Sequence, residues 1–336
     1  MSSRKVLTNL VPKAELRRYL FEFKVPLSYK DVAATLEACR TVDSVKLPDT
    51  VSADNVMTFK RILETMRKRT GRIDKTLATV ENNLVERAAE MGHNSAIALL
   101  AGRVLADKDS PKEDTTHADY LLTQLMDRGH ALAFKISGDL AYKAGYSEKA
   151  IKFYQLAVDH KMDDNAVLVE CLRNIGLINF MNKAITRARP AFERAVDVAE
   201  DPKQVMDCHY YLGQMLEPDK LAVRYHFERA AAHGLKEAFA PLGFLYLNYF
   251  NDQKLALEWF KLGAEVGDIN CLIGQLDIYL KQDDVQRAEG VVDKLKTSEA
   301  GTKALEFRPK ALERIEAFRK QTGPREGIDI SDRWGF

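Results

Sequence analysis

Pro241-Leu-Gly-Phe-Leu-Tyr-Leu-Asn-Tyr-Phe-Asn-Asp-Gln-Lys-Leu-Ala-Leu-Glu-Trp-Phe-Lys-Leu-Gly263 reads as two amphipathic helices joined by a short polar turn. In its second half Ala256, Trp259, Phe260 and Gly263 fall at i, i+3, i+4 and i+7, which places four side chains on one helical face. In its first half Gly243 sits inside an apolar helical run. Glycine there costs about 1 kcal/mol relative to alanine, so it calls for a packing reason.

Both features recur along the chain. The four-position pattern returns at Ala118-Leu121-Leu122-Leu125, Ala150-Phe153-Tyr154-Ala157, Ala188-Ala191-Phe192-Ala195, Val223-His226-Phe227-Ala230 and Ala288-Val291-Val292-Leu295. With Ala256, the first members lie 32, 38, 35, 33 and 32 residues apart. Interleaved with them stand Gly102, Gly138, Gly176, Gly213, Gly243 and Gly274. A residue without a Cβ lets the paired helix approach, and the aromatic of the second helix fills the space above it. Gly92, Gly129, Gly234 and Gly267 fit left-handed caps that end second helices. The sequence therefore predicts an all-α, right-handed solenoid of about six tetratricopeptide-like helix pairs, with helical caps at both ends.

The expected organisation is a basic segment at 1–27, a helical cap at 28–94, repeats at 95–300, a capping helix at 301–322 and a tail at 323–336. Within the first cap, helices are expected from Ser28 to about Arg40, from Ala53 to Thr70 and from Ile73 to Met91. Residues 1–20 carry Arg4, Lys5, Lys13, Arg17 and Arg18 against Glu15, interleaved with apolar residues as in a mitochondrial transit segment. Sparse serine and Pro12 favour instead a first helix of the mature fold, and both readings stand.

Composition narrows function. In 336 residues, 46% hydrophobic and 29% charged content exclude wholesale disorder, and 50 basic against 49 acidic side chains give no long-range pull on nucleic acid. No apolar run approaches the roughly 20 residues of a membrane-spanning helix. Cys39, Cys171, Cys208 and Cys271 are too dispersed for a disulfide framework, and Cys171 and Cys208 fall on core positions of the repeat. The seven histidines form no HExxH and no zinc-spaced cluster, and His226 occupies a repeat position that reads as core or half-buried. No catalytic residue, metal site, cofactor or small-molecule substrate is expected, and nucleic acid is not an expected partner.

Two surfaces remain as candidates. Tyr246, Asn248, Tyr249, Phe250 and Asn251 offer aromatic anchors and amides for an extended polypeptide. Lys60, Arg61, Arg67, Lys68, Arg69, Arg72 and Lys75 form a basic segment that reads either as a solvated helix end or as a contact for an anionic membrane.

The run Leu242-Gly-Phe-Leu-Tyr-Leu-Asn-Tyr-Phe-Asn251, with Ala256-Leu-Glu-Trp-Phe-Lys261 and Glu86-Arg-Ala-Ala-Glu-Met-Gly-His-Asn-Ser-Ala-Ile97, resembles a family of fungal mitochondrial matrix proteins. Those proteins are required for export of the carboxy-terminal tail of cytochrome c oxidase subunit 2. The resemblance implies a matrix protein attached peripherally to the inner membrane, with subunit 2 and an Oxa-type insertase as partners. Read without it, the repeat also suits a general adaptor of the cytosol or endoplasmic reticulum, or an organellar RNA-binding translational helper.

Overall fold

The computed structural model describes residues 11–40, 47–71, 74–160, 164–216 and 218–322. Among them are eighteen α-helices and no strand. The chain forms two compact units, residues 1–178 and 179–336.

The first unit opens with α1 (Lys13–Glu22), α2 (Tyr29–Ala38), α3 (Ala53–Thr70) and α4 (Lys75–Glu90). Helix pairs follow: α5 (Asn94–Ala106) with α6 (Lys112–Asp127), then α7 (Ala131–Lys143) with α8 (Ser147–Asp159), and then α9 (Asn165–Met181), within which the unit ends. Leu16, Tyr19 and Leu20 of α1 are buried in one core with Val32, Phe59, Ile62 and Leu84, so this part of the basic segment is an integral element of the folded unit. The starts of α2 to α4 are set by side-chain caps. Ser28 accepts from Asp31 N, Ser52 and Asn55 cap each other reciprocally, and Asp74 accepts from Thr76 N and Leu77 N.

The second unit contains α10 (Ile185–Val198), α11 (Met206–Met215), α12 (Lys220–Ala232), α13 (Phe239–Asn248), α14 (Gln253–Glu265), α15 (Ile269–Lys281) and α16 (Val285–Lys296). It closes with α17 (Glu299–Glu306) and α18 (Pro309–Thr322). Helices α5 to α16 are the six expected pairs. The single capping helix expected over 301–322 is instead two helices, because Pro309 disfavours helical backbone at Arg308 and itself suits a first helical position. The tail from Gly323, with Trp334 and Phe336, lies outside the described residues.

The periodicity translates directly into packing. In all six second helices the first, third and fourth members of the pattern are buried, as in Ala150, Tyr154 and Ala157, while the second member is buried in two and partly exposed in four. Gly102, Gly138, Gly213, Gly243 and Gly274 lie under side chains. A Cβ on Gly138 would come within 2.7 Å of the Tyr154 ring, and one on Gly213 within 2.7 Å of the Phe227 ring. The same aromatic of one helix covers two glycines at Phe260, whose ring presses on both Gly243 of α13 and Gly274 of α15. The expected partner is therefore not universal. Gly274 is covered from the preceding pair because α16 offers only valines at the aromatic positions, and Gly102 is covered by Ile136 of α7 because α6 carries leucines there.

Turns follow two rules. Gly92, Gly129, Gly234 and Gly267 adopt φ between 74° and 95°, as the left-handed caps require. Within pairs the same conformation is met by Gly145 but also by Lys183, Asn251 and Asp283, at φ of 54° to 60° for the three non-glycines. Asn and Asp tolerate this region through local hydrogen bonding.

A Gly243→Ala change should destabilise the second unit by about 1–3 kcal/mol through overpacking against Phe260, and Gly243→Leu by more. Gly290→Ala, in α16 with open space around the added methyl, should instead stabilise by up to about 1 kcal/mol. Denaturant unfolding of both variants checks the opposed signs.

Candidate client-binding surface

The five residues from Tyr246 to Asn251 lie where α13 ends against α12. Asp219 caps α12 by accepting from Leu221 N and Ala222 N at 3.1 Å, which fixes the start of that helix. Lys220, Arg224 and Glu228 then succeed one another at four-residue spacing along one face. That face meets the aromatic end of α13.

Tyr246 is buried, and its hydroxyl donates to Glu228 Oε1. Burial first, then that carboxylate, pushes the phenol up to about 12, so it stays a neutral donor. The Arg224 guanidinium lies 5.2 Å from the Phe250 ring centroid and Lys220 Nζ lies 5.8 Å from that of Tyr249. Phe250 is half-buried and meets the Tyr249 ring edge-on at 5.1 Å. Tyr249 is 56% exposed, and Asn248 and Asn251 are exposed beside it.

The roles divide accordingly. Tyr246 and Phe250 form the floor, Tyr249 and Asn248 are free to meet a partner, and Asn251 is first of all the left-handed turn residue between α13 and α14. Lys220, Arg224 and Glu228 were not among the residues singled out by sequence. Their regular spacing on α12 was visible, but their approach to a segment some twenty residues later was not. Leu221 and Tyr225, on the neighbouring stripe of α12, are also exposed. Together these groups present an amphipathic, cation-flanked aromatic surface suited to an extended polypeptide.

The basic segment on α3 is largely engaged within the first unit. Lys60 and Lys68 reach Glu64 at 2.7 and 3.3 Å, and Arg67 reaches Glu81 at 3.2 Å. Burial would raise the Glu64 carboxyl, but the hydrogen bonds and charges of Lys60 and Lys68 outweigh it and hold the group below its usual range. Arg61 approaches Asp164 at 3.7 Å and the Phe23 ring at 5.7 Å, while Arg69 approaches Glu22 at 3.5 Å and the Tyr19 ring at 5.3 Å. Lys75 is exposed at the start of α4, and Arg72 lies outside the described residues. No described helix is long and apolar enough to cross a membrane.

A polar pair lies inside the second unit. His209 of α11 is buried and His226 of α12 is half-buried, with their Nδ1 atoms 2.9 Å apart. One ring must donate and the other accept, so both cannot be protonated in this geometry. Burial, then the charges of His226, Arg229 and His233, lower His209 to about 4. His226 is lowered by burial and by Arg189, against the opposing charge of Glu193. All four cysteines are buried thiols outside any disulfide, and burial pushes those of Cys171 and Cys271 up to about 12, away from reactive thiolate.

Paired helices with glycine-aromatic packing, tetratricopeptide-like in length and pattern, define this chain as a helical-repeat scaffold. More particularly, it is similar to Protein MSS2, mitochondrial, of Saccharomyces cerevisiae, with 26% identity over 299 residues that cover 84% of each chain. Residues 3–93 match the family described as MSS2 N-terminal domain. Solved structures with detectable likeness include yeast Tom70, at 12% identity and a TM-score of 0.40, which covers 90% of this chain and 66% of that one, just under two thirds. The Cut9-Hcn1 hetero-tetramer of APC/C follows at 13% identity, a TM-score of 0.42 and coverage of 93% and 70%. The c5321 antigen of uropathogenic Escherichia coli, with an SLR fold, shows 14% identity, a TM-score of 0.34 and coverage of 75% and 73%.

The histidine pair predicts a pH dependence. A base whose folded value lies below its ordinary 6.5 binds more protons when unfolded, so stability is complete above about pH 6.5 and falls as pH drops toward 4. For His209 the loss is on the order of 3 kcal/mol. A His209→Gln variant should flatten unfolding free energy against pH across this window.

Proposed function

We propose that this protein is a non-catalytic mitochondrial assembly factor. It aids export of the carboxy-terminal tail of cytochrome c oxidase subunit 2 across the inner membrane, through contacts with that client and with an Oxa-type insertase. It acts from the matrix, peripherally attached to the inner membrane. The name of the yeast relative, Protein MSS2, mitochondrial, supports the mitochondrial setting, and similarity across 84% of both chains supports a shared role rather than a shared segment.

The observation that carries a holding function is the α12–α13 corner. Its exposed Tyr249 can bury a large rigid area against a partner at small entropic cost, and the adjacent Asn248 amide can satisfy an unpaired backbone group. Lys220 and Arg224 bias the corner toward a client bearing acidic groups. Helical-pair arrays are suited to such work because they offer extended surfaces without needing to enclose the ligand.

A Tyr249→Ala, Asn248→Ala variant should fold like the parent, since both side chains are exposed, and should lose crosslinking to subunit 2 about tenfold or more, as expected for loss of an aromatic anchor. Asn251 is left intact because its φ of 54° would strain alanine. Crosslinking in intact mitochondria, with oxidase assembly as the second readout, checks the outcome. Parent-like behaviour in both would remove the corner as the client surface.

A further inference from the structure

We propose that the outer face of α1, with Phe21 at its apex, is the surface by which this chain lies against an anionic lipid bilayer. The proposal rests on the peripheral attachment proposed above and locates it. Phe21 is 86% exposed, more than any other large hydrophobic side chain among the described residues. Its outward position is fixed, because Leu16, Tyr19 and Leu20 on the opposite side of α1 are held in the core.

The surroundings of Phe21 are cationic. Arg17 and Arg18 stand one helical turn before it, Lys13 a further turn back, and Lys24 just beyond the helix end, all exposed. Lys13 and Arg17 lie 5.1 and 5.5 Å from the Tyr29 ring centroid, which braces them on this face. The acid at its edge, Glu22, is shared by Arg18 at 3.4 Å and Arg69 at 3.5 Å. Exposed Lys68 and Arg69 at the end of α3 extend the positive surface from that side.

An exposed aromatic ring flanked by long basic side chains is the pattern of an interfacial helix. The ring enters the boundary between headgroups and acyl chains, while the Lys and Arg stems keep their charges at phosphate level. An acidic protein would have to supply a pocket for a ring that projects from a convex helix face. A bilayer accepts such a ring anywhere on its surface, and its mobile anionic headgroups can follow the cations.

The test uses the purified full chain with vesicles of phosphatidylcholine, alone or mixed with cardiolipin. Parent protein should bind the cardiolipin vesicles and release at high salt. Phe21→Ser should weaken binding about tenfold, and Arg17→Gln with Lys24→Gln about fivefold per cation removed. Lys112→Gln, at the start of α6, should bind like the parent, and brominated acyl chains should quench the indole introduced by Phe21→Trp. If the parent binds while the Phe21 and Arg17/Lys24 variants bind equally well, or the indole is not quenched, the α1 face is not the contact. If the parent binds neither vesicle, peripheral attachment falls together with this proposal. Displacement of vesicles by soluble polyglutamate without indole quenching would assign the face to an acidic protein and overturn it.

Discussion

An aromatic ring set on a glycine is the contact that organises the α7–α8, α11–α12 and α13–α14 pairs. Removing Cβ lets a neighbouring ring sit at a distance that no other residue would allow, and the ring in turn fixes the spacing and rotation of both helices. Phe260 extends this from one pair to the next, because its single ring occupies the hollows of Gly243 and Gly274 at once. The Gln275 side chain then donates to the Phe260 carbonyl at 2.8 Å, so the contact is held from the backbone side too. Close-packed interiors tolerate little volume error, and a repeat stacked through one shared ring distributes any such error to two neighbours.

Tyr154 shows how the same position can carry polar work. Its ring lies on Gly138 while its hydroxyl donates to Asp139 at 2.8 Å, and Asp139 also binds Lys135 at 2.9 Å, which binds Glu170 at 3.0 Å. Burial would lower the Lys135 ammonium, but the two carboxylates outweigh it and raise its value. One ammonium thus answers two partly exposed carboxylates, and each charge in the network meets an opposite one. The same logic applies to Tyr246 and Glu228, with the difference that there the cluster ends at an exposed aromatic. The two clusters thus differ in whether the outermost group is paired with a charge or left as an exposed aromatic.

Local features were legible in the sequence because their causes are local. The alanine and aromatic spacings, the post-helix glycines and the boundaries of α3 each follow from periodicity or from a cap within four residues. Several other features depend on residues brought together only by folding. Arg67 finds Glu81 fourteen positions away and Arg69 finds Glu22 forty-seven away, which turns much of an apparent basic patch into internal ion pairs. The left-handed turns at Lys183, Asn251 and Asp283 carry no glycine to announce them, and so Asn251 reads as a binding amide when its first role is backbone geometry. The break at Pro309 is a local signal of the same kind, since proline disfavours helical backbone at the residue before it.

What a scaffold can offer a partner is set by what its own packing leaves over. In the α12–α13 corner the core takes Tyr246 and the half-buried floor takes Phe250, so Tyr249 is presented on a base that cannot easily reorganise. A rigid aromatic anchor loses little entropy when it is covered, which favours capture of a flexible chain whose own ordering is costly. Lys220 and Arg224 are half-buried against the aromatic rings and add charge that is partly screened at physiological salt. In the binding role proposed above they would contribute more to encounter and selectivity than to residence time, which the aromatic area would govern. The proposed role, holding a chain only until it is passed on, would be served by this combination of steered arrival and a small anchoring area.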